Sequence, residues 1–296
     1  MNKNFIKYGF FLIVIGLLSV SVFAKDFPVT VKDKTGHEIT LKKKPVKIIS
    51  LGAASTEILY EVGAEKQIAA VSDVSNYPAA AKSLPTIGGF DAKTLSIEKI
   101  VSFRPDFIII YHGMHDFLIP SLEKFHVPYY VSNDATVADV IKEIKDIACL
   151  TGHKSTGDSL EKKYNDIING LLKKSSGTKK QKIFWEVYNS PFMSAGKDSF
   201  INDVITLCGG ENIFGNINQA YPIVSEETII ASSPDFILLP NDMYTDTEIV
   251  KSRKGWQNIP AVKENKIIII DADIYTRSGP RIFDAIQELS RLLSSD

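Results

Sequence analysis

Seven short apolar runs mark the chain, at residues 48–51, 68–71, 107–110, 129–131, 183–187, 236–239 and 267–270. Most lack alternation, as strands covered on both faces of a parallel sheet do, and helical patterns separate them. The succession predicts an α/β fold with mainly parallel sheets flanked by helices. Ahead of these runs, residues 27–41 alternate apolar and polar on both sides of Thr35 and Gly36. That pattern predicts a β-hairpin capping a sheet edge.

Between the fourth and fifth runs, Leu160, Tyr164, Ile167, Ile168, Leu171 and Leu172 fall at i, i+4, i+7, i+8, i+11 and i+12. This is one face of a single amphipathic helix over 155–174, followed by polar residues to 181. A helix of that length extends about 30 Å, which suits a bridge between two lobes or a long surface helix of one domain.

An internal repeat bears on that choice. Residues 95–110 align without a gap on 224–239. In each copy a Ser (Ser96, Ser225) is placed to cap a short helix, a Glu (Glu98, Glu227) stands in its first turn, and Pro105 or Pro234 ends it before an apolar run. A weaker pair, 55–68 and 200–214, shares an acidic residue six positions before a glycine, Glu57 with Gly63 and Asp203 with Gly209. Both glycines suit helix C-termini at positive φ. The repeats predict two similarly built lobes, 25–153 and 179–296, with a linking helix over 154–178.

The first 24 residues stand apart. Lys3 and Lys7 precede a 14-residue apolar run over 9–22, and Val22-Phe23-Ala24 offers a cleavage site. This reads as a secretory signal peptide, too short for the roughly 20 residues that span hydrocarbon. No Cys stands at the cleavage point, so lipid anchoring there is not indicated. With 34 Lys and Arg against 35 Asp and Glu, the chain has no basic excess for a phosphate backbone, and nucleic acid is not an expected partner. Cys149 and Cys208 enter an oxidising compartment on this reading, either paired or as two buried thiols.

No Gly-rich phosphate loop and no Gly-x-Ser-x-Gly elbow occurs. Polar and aromatic residues instead follow the apolar runs, where α/β folds place their binding loops. In the first half these are Tyr111, His112, His115 and Asp116; in the second they are Tyr188, Tyr275, Arg277 and Arg281, with Tyr221 nearby. Collected at facing lobe ends, Tyr111, His112, Tyr188, Tyr221, Tyr275 and Arg277 are the candidate ligand-binding set, suited to a large flat ligand with some negative charge.

The hairpin, residues 87–90 leading into 95–106, and the stretches 194–201, 208–214, 221–227 and 278–282 resemble the periplasmic substrate-binding proteins of ABC importers for metal chelates. The likeness covers nearly the whole chain after the leader. It implies two α/β lobes joined by one long helix, a ligand cleft between them, and one exposed Glu per lobe meeting Arg on a membrane permease dimer. By position these are Glu98 and Glu227. Vitamin B12, ferric siderophore and haem binders share the motifs. Tyr111 falls where the B12 binder has an aromatic cleft residue, whereas Gly89 and Phe90 stand where that protein places a tryptophan. Haem binders often ligate iron with Tyr near that point, which Phe90 cannot do, leaving a Tyr or His of 111–115 as a substitute.

The resulting expectation is a periplasmic, monomeric binding protein without catalysis or resident cofactor, delivering a cobalamin or iron chelate to an ABC permease. A zinc or manganese carrier is the alternative of the same class. An exported metal-dependent hydrolase would use His112 and His115 as ligands with Glu186 or Asp273 as base. A surface adhesin would take no small ligand.

Overall fold

Buried Ile, Val and Phe positions build two separate sheets. The computed structural model describes residues 27–89, 93–177 and 179–294; the leader expected at 1–24 and Phe90 lie outside them. The described residues open with β1 (Val29–Lys32) and β2 (Glu38–Leu41), antiparallel with Val29 opposite Leu41. The first lobe continues through β3 (Ile48–Ser50), α1 (Ala53–Glu61), β4 (Ile68–Val71), α2 (Ile97–Ser102), β5 (Phe107–Tyr111), α3 (Ile119–Lys124), β6 (Tyr129–Ser132) and α4 (Val137–Leu150). The helix α5 (Lys154–Ser175) follows. The second lobe begins with β7 (Lys182–Asn189), β8 (Phe192–Ser194), α6 (Phe200–Leu207), β9 (Glu211–Asn212) and α7 (Glu226–Ser232). It ends with β10 (Phe236–Pro240), α8 (Glu248–Lys251), α9 (Pro260–Lys263), β11 (Ile267–Ile270), α10 (Ala272–Tyr275) and α11 (Ile282–Leu293).

All seven apolar runs are strands. The first sheet has order β4-β3-β5-β6 and is parallel throughout. In the second, of order β11-β10-β7-β8, the β10 pairings are parallel and β8 returns antiparallel on β7. The short β8 and β9 carry too few residues for periodicity to reveal. The hairpin forms a two-stranded sheet of its own and meets the edge strand β6 through a side chain. Buried Asp33 accepts the Thr35 and His37 N–H groups with Oδ1 and the Val131 N–H with Oδ2.

The internal repeat is a repeat of hydrogen bonds. Ser96 Oγ accepts the Lys99 N–H and Ser225 Oγ accepts the Thr228 N–H, capping α2 and α7. Arg104 and Ser233, both at φ 51, turn the chain ahead of their prolines. Asp106 then accepts the Lys47 N–H at 2.9 Å and returns its own N–H to the Lys47 carbonyl. Asp235 makes the same exchange with Lys182, accepting at 2.7 Å. In each lobe the Pro-Asp pair therefore fixes the start of the strand next to its own.

The weaker repeat is also structural, and it works between lobes. Gly63 and Gly209 both sit at φ 84, as expected of helix ends. Glu57 of α1 binds arginines of the second lobe, while Asp203 of α6 accepts the N–H of Val137, the first residue of α4, at 2.7 Å.

The long helix is continuous over 22 residues and buries Gly157, Tyr164 and Leu171 along one stripe. Its helical neighbours are α4, α11 and α6. A Cβ on Gly157 would lie 2.5 Å from the Ala148 Cβ, so only glycine permits this approach of α5 to α4. Tyr164 stacks on Phe283 at 3.8 Å and donates to Glu61 Oε1 at 2.6 Å. One hydrophobic cluster runs from Ile48 and Ile144 through Tyr164 to Trp185, Val204 and Phe283, so the lobes share a core on this side. Each lobe has a second cluster of its own.

Cys149 and Cys208 are free thiols. Burial pushes the Cys208 thiol up to about 12, and its Sγ lies 3.3 Å from the Ile286 carbonyl. Among the described residues no helix is long and apolar enough to cross a membrane. The repeated Asp devices give a direct test: Asp106→Ala and Asp235→Ala should each lower stability by about 1–2 kcal/mol in urea denaturation, since each strands backbone donors. Values near zero for both would show that the strands keep their register without them.

Candidate functional site

The strand order places a crevice at the C-terminal ends of β3 and β5, where chain direction along the sheet reverses. A cleft of about 310 Å³ opens there. Gly52, Ala53, Ser55, Val74 and Tyr111 line it from the first lobe, and Thr276, Arg277 and Ser278 from the second.

An inter-lobe ion network closes the inner end. Glu57, 4% exposed, takes Arg281 Nε at 2.8 Å and Nη2 at 2.6 Å, with Arg277 Nη1 at 3.7 Å. Arg277 also donates to Asn76 Oδ1 at 2.7 Å and pairs with Asp273 at 2.5 Å. Asn76 returns a bond to Asp273 Oδ2 at 2.7 Å. The Arg281 guanidinium lies 4.2 Å from the Tyr77 ring centroid. A Cβ on Gly279 would stand 3.2 Å from Glu57 Oε2, which accounts for glycine between the two arginines.

Of the six expected ligand contacts, Tyr111 and Arg277 line the cleft. Burial, then the neighbouring Tyr221, Asp134 and Glu143, raise the Tyr111 hydroxyl above its usual range. Tyr221, on the other lobe, is 41% exposed and is raised by burial of its hydroxyl. Both phenols thus stay protonated at neutral pH. Tyr188 is exposed at the β7–β8 turn. His112 is exposed and turned to Asp116, with Nδ1 3.1 Å from Oδ2.

Tyr275 is placed otherwise. It is 5% exposed, packs edge-on against Trp185, and aims its hydroxyl at Glu288. Its position one turn into α10 carries the ring into the shared core and away from the cleft. His115 is fully buried, and its Nδ1 accepts the Tyr111 N–H at 2.9 Å, so this ring supports the cleft loop from behind.

Both carboxylates considered as a hydrolytic base are occupied. Glu186, fully buried, forms a two-point pair with Arg253 at 2.6 and 2.8 Å and accepts from Tyr244. Asp273 belongs to the inter-lobe network. Among the described residues no group of three or more His, Cys, Asp and Glu is arranged to hold a metal ion.

Glu98 and Glu227 are exposed at the second positions of α2 and α7. The Ser96 hydroxyl and its own backbone N–H hold Glu98 below the usual carboxylate range; its own N–H and the Ser225 hydroxyl do so for Glu227. Among the described residues neither has an ion-pair partner. Sequence reasoning missed the network around Glu57, although the acidic residue before Gly63 and the Arg277/Arg281 pair were its visible traces. Asn76 carried no signal.

The fold and cleft are those of a two-lobed binding protein. The chain belongs to the periplasmic binding protein family, whose model matches residues 48–274. It is 28% identical to an uncharacterized ABC transporter substrate-binding lipoprotein, YvrC, of Bacillus subtilis, over 91% of this chain and 87% of that one. It is also 28% identical to the vitamin B12-binding protein of Vibrio parahaemolyticus, over 85% of this chain and 90% of that one. The periplasmic haem-binding protein HutB of Vibrio cholerae superposes with a TM-score of 0.76 at 24% identity, covering 84% of this chain and 99% of that one, a likeness of fold.

Breaking the inter-lobe network should be costly. Arg281→Ala leaves Glu57 buried with only the more distant Arg277, and should destabilise the protein by about 3 kcal/mol in urea denaturation. Combining it with Glu57→Gln should recover part of the loss, because no buried charge is then stranded. A double variant as unstable as the sum of the singles would remove the pairing argument.

Proposed function

We propose that this protein is the extracytoplasmic binding component of an ABC importer. It captures a metal chelate in the inter-lobe cleft and delivers it to a membrane permease dimer, without catalysis and as a monomer. The observation that carries the reading is the cleft itself, lined by Tyr111 at the C-terminal end of β5 on one lobe and by Thr276, Arg277 and Ser278 on the other. The leader over 1–24 directs export to the periplasm and is cleaved. The chelate is cargo, so no resident cofactor is involved.

Among chelates, cobalamin is favoured over a ferric siderophore or haem. Arg277, the cation on the cleft wall, is engaged by Asp273, Asn76 and Glu57, so a ligand bearing several anionic groups finds it already neutralised. Two neutral phenols and small apolar residues suit the face of a large, nearly uncharged macrocycle. The relatedness to a vitamin B12-binding protein points the same way. Tyr188 and His112, both exposed, are proposed as secondary ligand contacts.

Cyanocobalamin should quench the intrinsic fluorescence with a dissociation constant of roughly micromolar or tighter, about -8 kcal/mol or better. Tyr111→Ala combined with Tyr221→Ala should weaken binding by at least about tenfold, near 1.4 kcal/mol, with little change in melting temperature. Equal affinity for parent and double variant would take both residues out of the site, and binding of haemin with no response to cyanocobalamin would reverse the choice of chelate.

Glu98 and Glu227 act in docking. Matching carboxylates on two similarly built lobes form a pseudo-two-fold pair, complementary to a two-fold permease bearing Arg. The variant carrying Glu98→Ala and Glu227→Ala should bind chelate normally in solution and fail to stimulate permease ATP hydrolysis or support uptake. Undiminished transport at normal protein levels would reduce both residues to helix capping.

A further inference from the structure

Behind the cleft wall the first lobe buries two carboxylates side by side. Asp134, in the turn from β6 to α4, is 8% exposed, and Glu143, on the inner face of α4, is 1% exposed. The Ser132 hydroxyl donates to Glu143 Oε2 at 2.6 Å. Glu143 Oε1 and both carboxylate oxygens of Asp134 are buried with no hydrogen-bond partner. From the second lobe, the Ser278 hydroxyl stands beside Asp134 but outside hydrogen-bond geometry.

Little positive charge reaches this pair. Asp139, Asp146 and the cation Lys142 of α4 and the phenols of Tyr111 and Tyr130 are the other groups that act on it, Lys142 acting on Glu143 more weakly than Asp146 does. Lys142, the nearby cation of α4, is committed to Asp146 and the Lys32 carbonyl, and Lys34 is paired with Asp139. Arg277, adjacent to Ser278, is held by Asp273 and Asn76. Two ionised carboxylates in contact here would repel one another and leave three oxygens without a donor.

We propose that Asp134 and Glu143 share one proton at neutral pH, and that this acid–carboxylate hydrogen bond lets residues 276–278 of the second lobe close against the first. The proton resides on Asp134 and is donated to Glu143 Oε1, satisfying two of the vacant oxygens. Burial, and then the charge of Glu143, holds Asp134 well above the ordinary carboxylate range. Burial raises Glu143 too, opposed by hydrogen bonds from Asp134 and Ser132. The pair titrates as one unit.

The sign of the pH effect follows. An acid whose folded pKa exceeds its unfolded value contributes stability that is complete below the unfolded pKa, about 4, and is lost as pH rises through the folded one. Alkaline pH therefore opposes the packing of 276–278 on Asp134. Since Thr276, Arg277 and Ser278 line the cleft, ligand capture becomes linked to a proton. That last step rests on the cleft being the binding site; the shared proton does not.

Ligand-free measurements test the proposal separately from the proposed function. Infrared spectra of the purified chain near neutral pH should contain a protonated-carboxyl band that is missing in Glu143→Gln and in Asp134→Asn. The wild-type melting temperature should fall between about pH 5 and about pH 9, and either amide, which donates whatever the pH, should flatten that slope. Hydrogen exchange over 273–283, taken as the ratio of wild type to Glu143→Gln so that intrinsic pH effects cancel, should rise several-fold across the same range. A band that persists in both amide variants, or equal melting slopes in all three proteins, overturns the shared proton. A constant exchange ratio overturns its link to the second lobe. If one variant fails to fold, the other supplies the comparison.

Discussion

A carboxylate at the bottom of the cleft governs the arrangement of both lobes. Glu57 is almost fully withdrawn from water, and an ion in that position is tolerated only with charged partners and satisfied hydrogen bonds. Both partners, Arg277 and Arg281, come from the segment between α10 and α11 of the other lobe. The first lobe thus cannot meet its own electrostatic demand. The distance between the cleft walls is set by the reach of two guanidinium groups, and Arg277 is spent on this task even though it faces the cavity. The wall that remains free is that of the Tyr111 phenol and small side chains.

The two lobes answer one another through the same sequence positions. Glu57 and Asp203 occupy equivalent places in the weaker repeat, and each reaches out of its own lobe, one to arginines and the other to the N-terminus of α4. The stronger repeat works within lobes, where Ser96 and Ser225 cap helices and Asp106 and Asp235 set strand starts. One set of copied residues therefore maintains each lobe, and another holds the lobes together. Their outward-facing members, Glu98 and Glu227, inherit the symmetry because the helices that carry them are built alike.

Much of this was legible in the chain. Uninterrupted apolar runs are sufficient to mark strands, and all seven runs are strands, although Ile268 and Ile269 of β11 and Ala69 of β4 are only partly buried. The helix expected at 155–174 extends by one residue at each end, since its stripe of Tyr164 and Leu171 has the right period. Tyr111 could be placed because the end of a parallel strand is a fixed position in such folds. Tyr275 could not, because one turn of α10 rotates a ring from cleft to core and periodicity over four residues does not specify the rotation. Asn76 and the Asp134–Glu143 pair were invisible for a related reason. Their partners lie far away in sequence or owe their importance to burial, and neither leaves a local pattern.

The shared core beside α5 has a consequence for how the molecule assembles. Ile48 and Ile144 of the first lobe belong to the same apolar cluster as Val204, Phe283 and Ile286 of the second. A chain emerging N-terminus first presents residues up to 153 well before α6 and α11 exist to cover them. Until residues 277–293 arrive, the first lobe carries an uncovered apolar flank and an unpaired Glu57, and is open to association with other chains. Completion of the shared core is thereby tied to the arrival of α11.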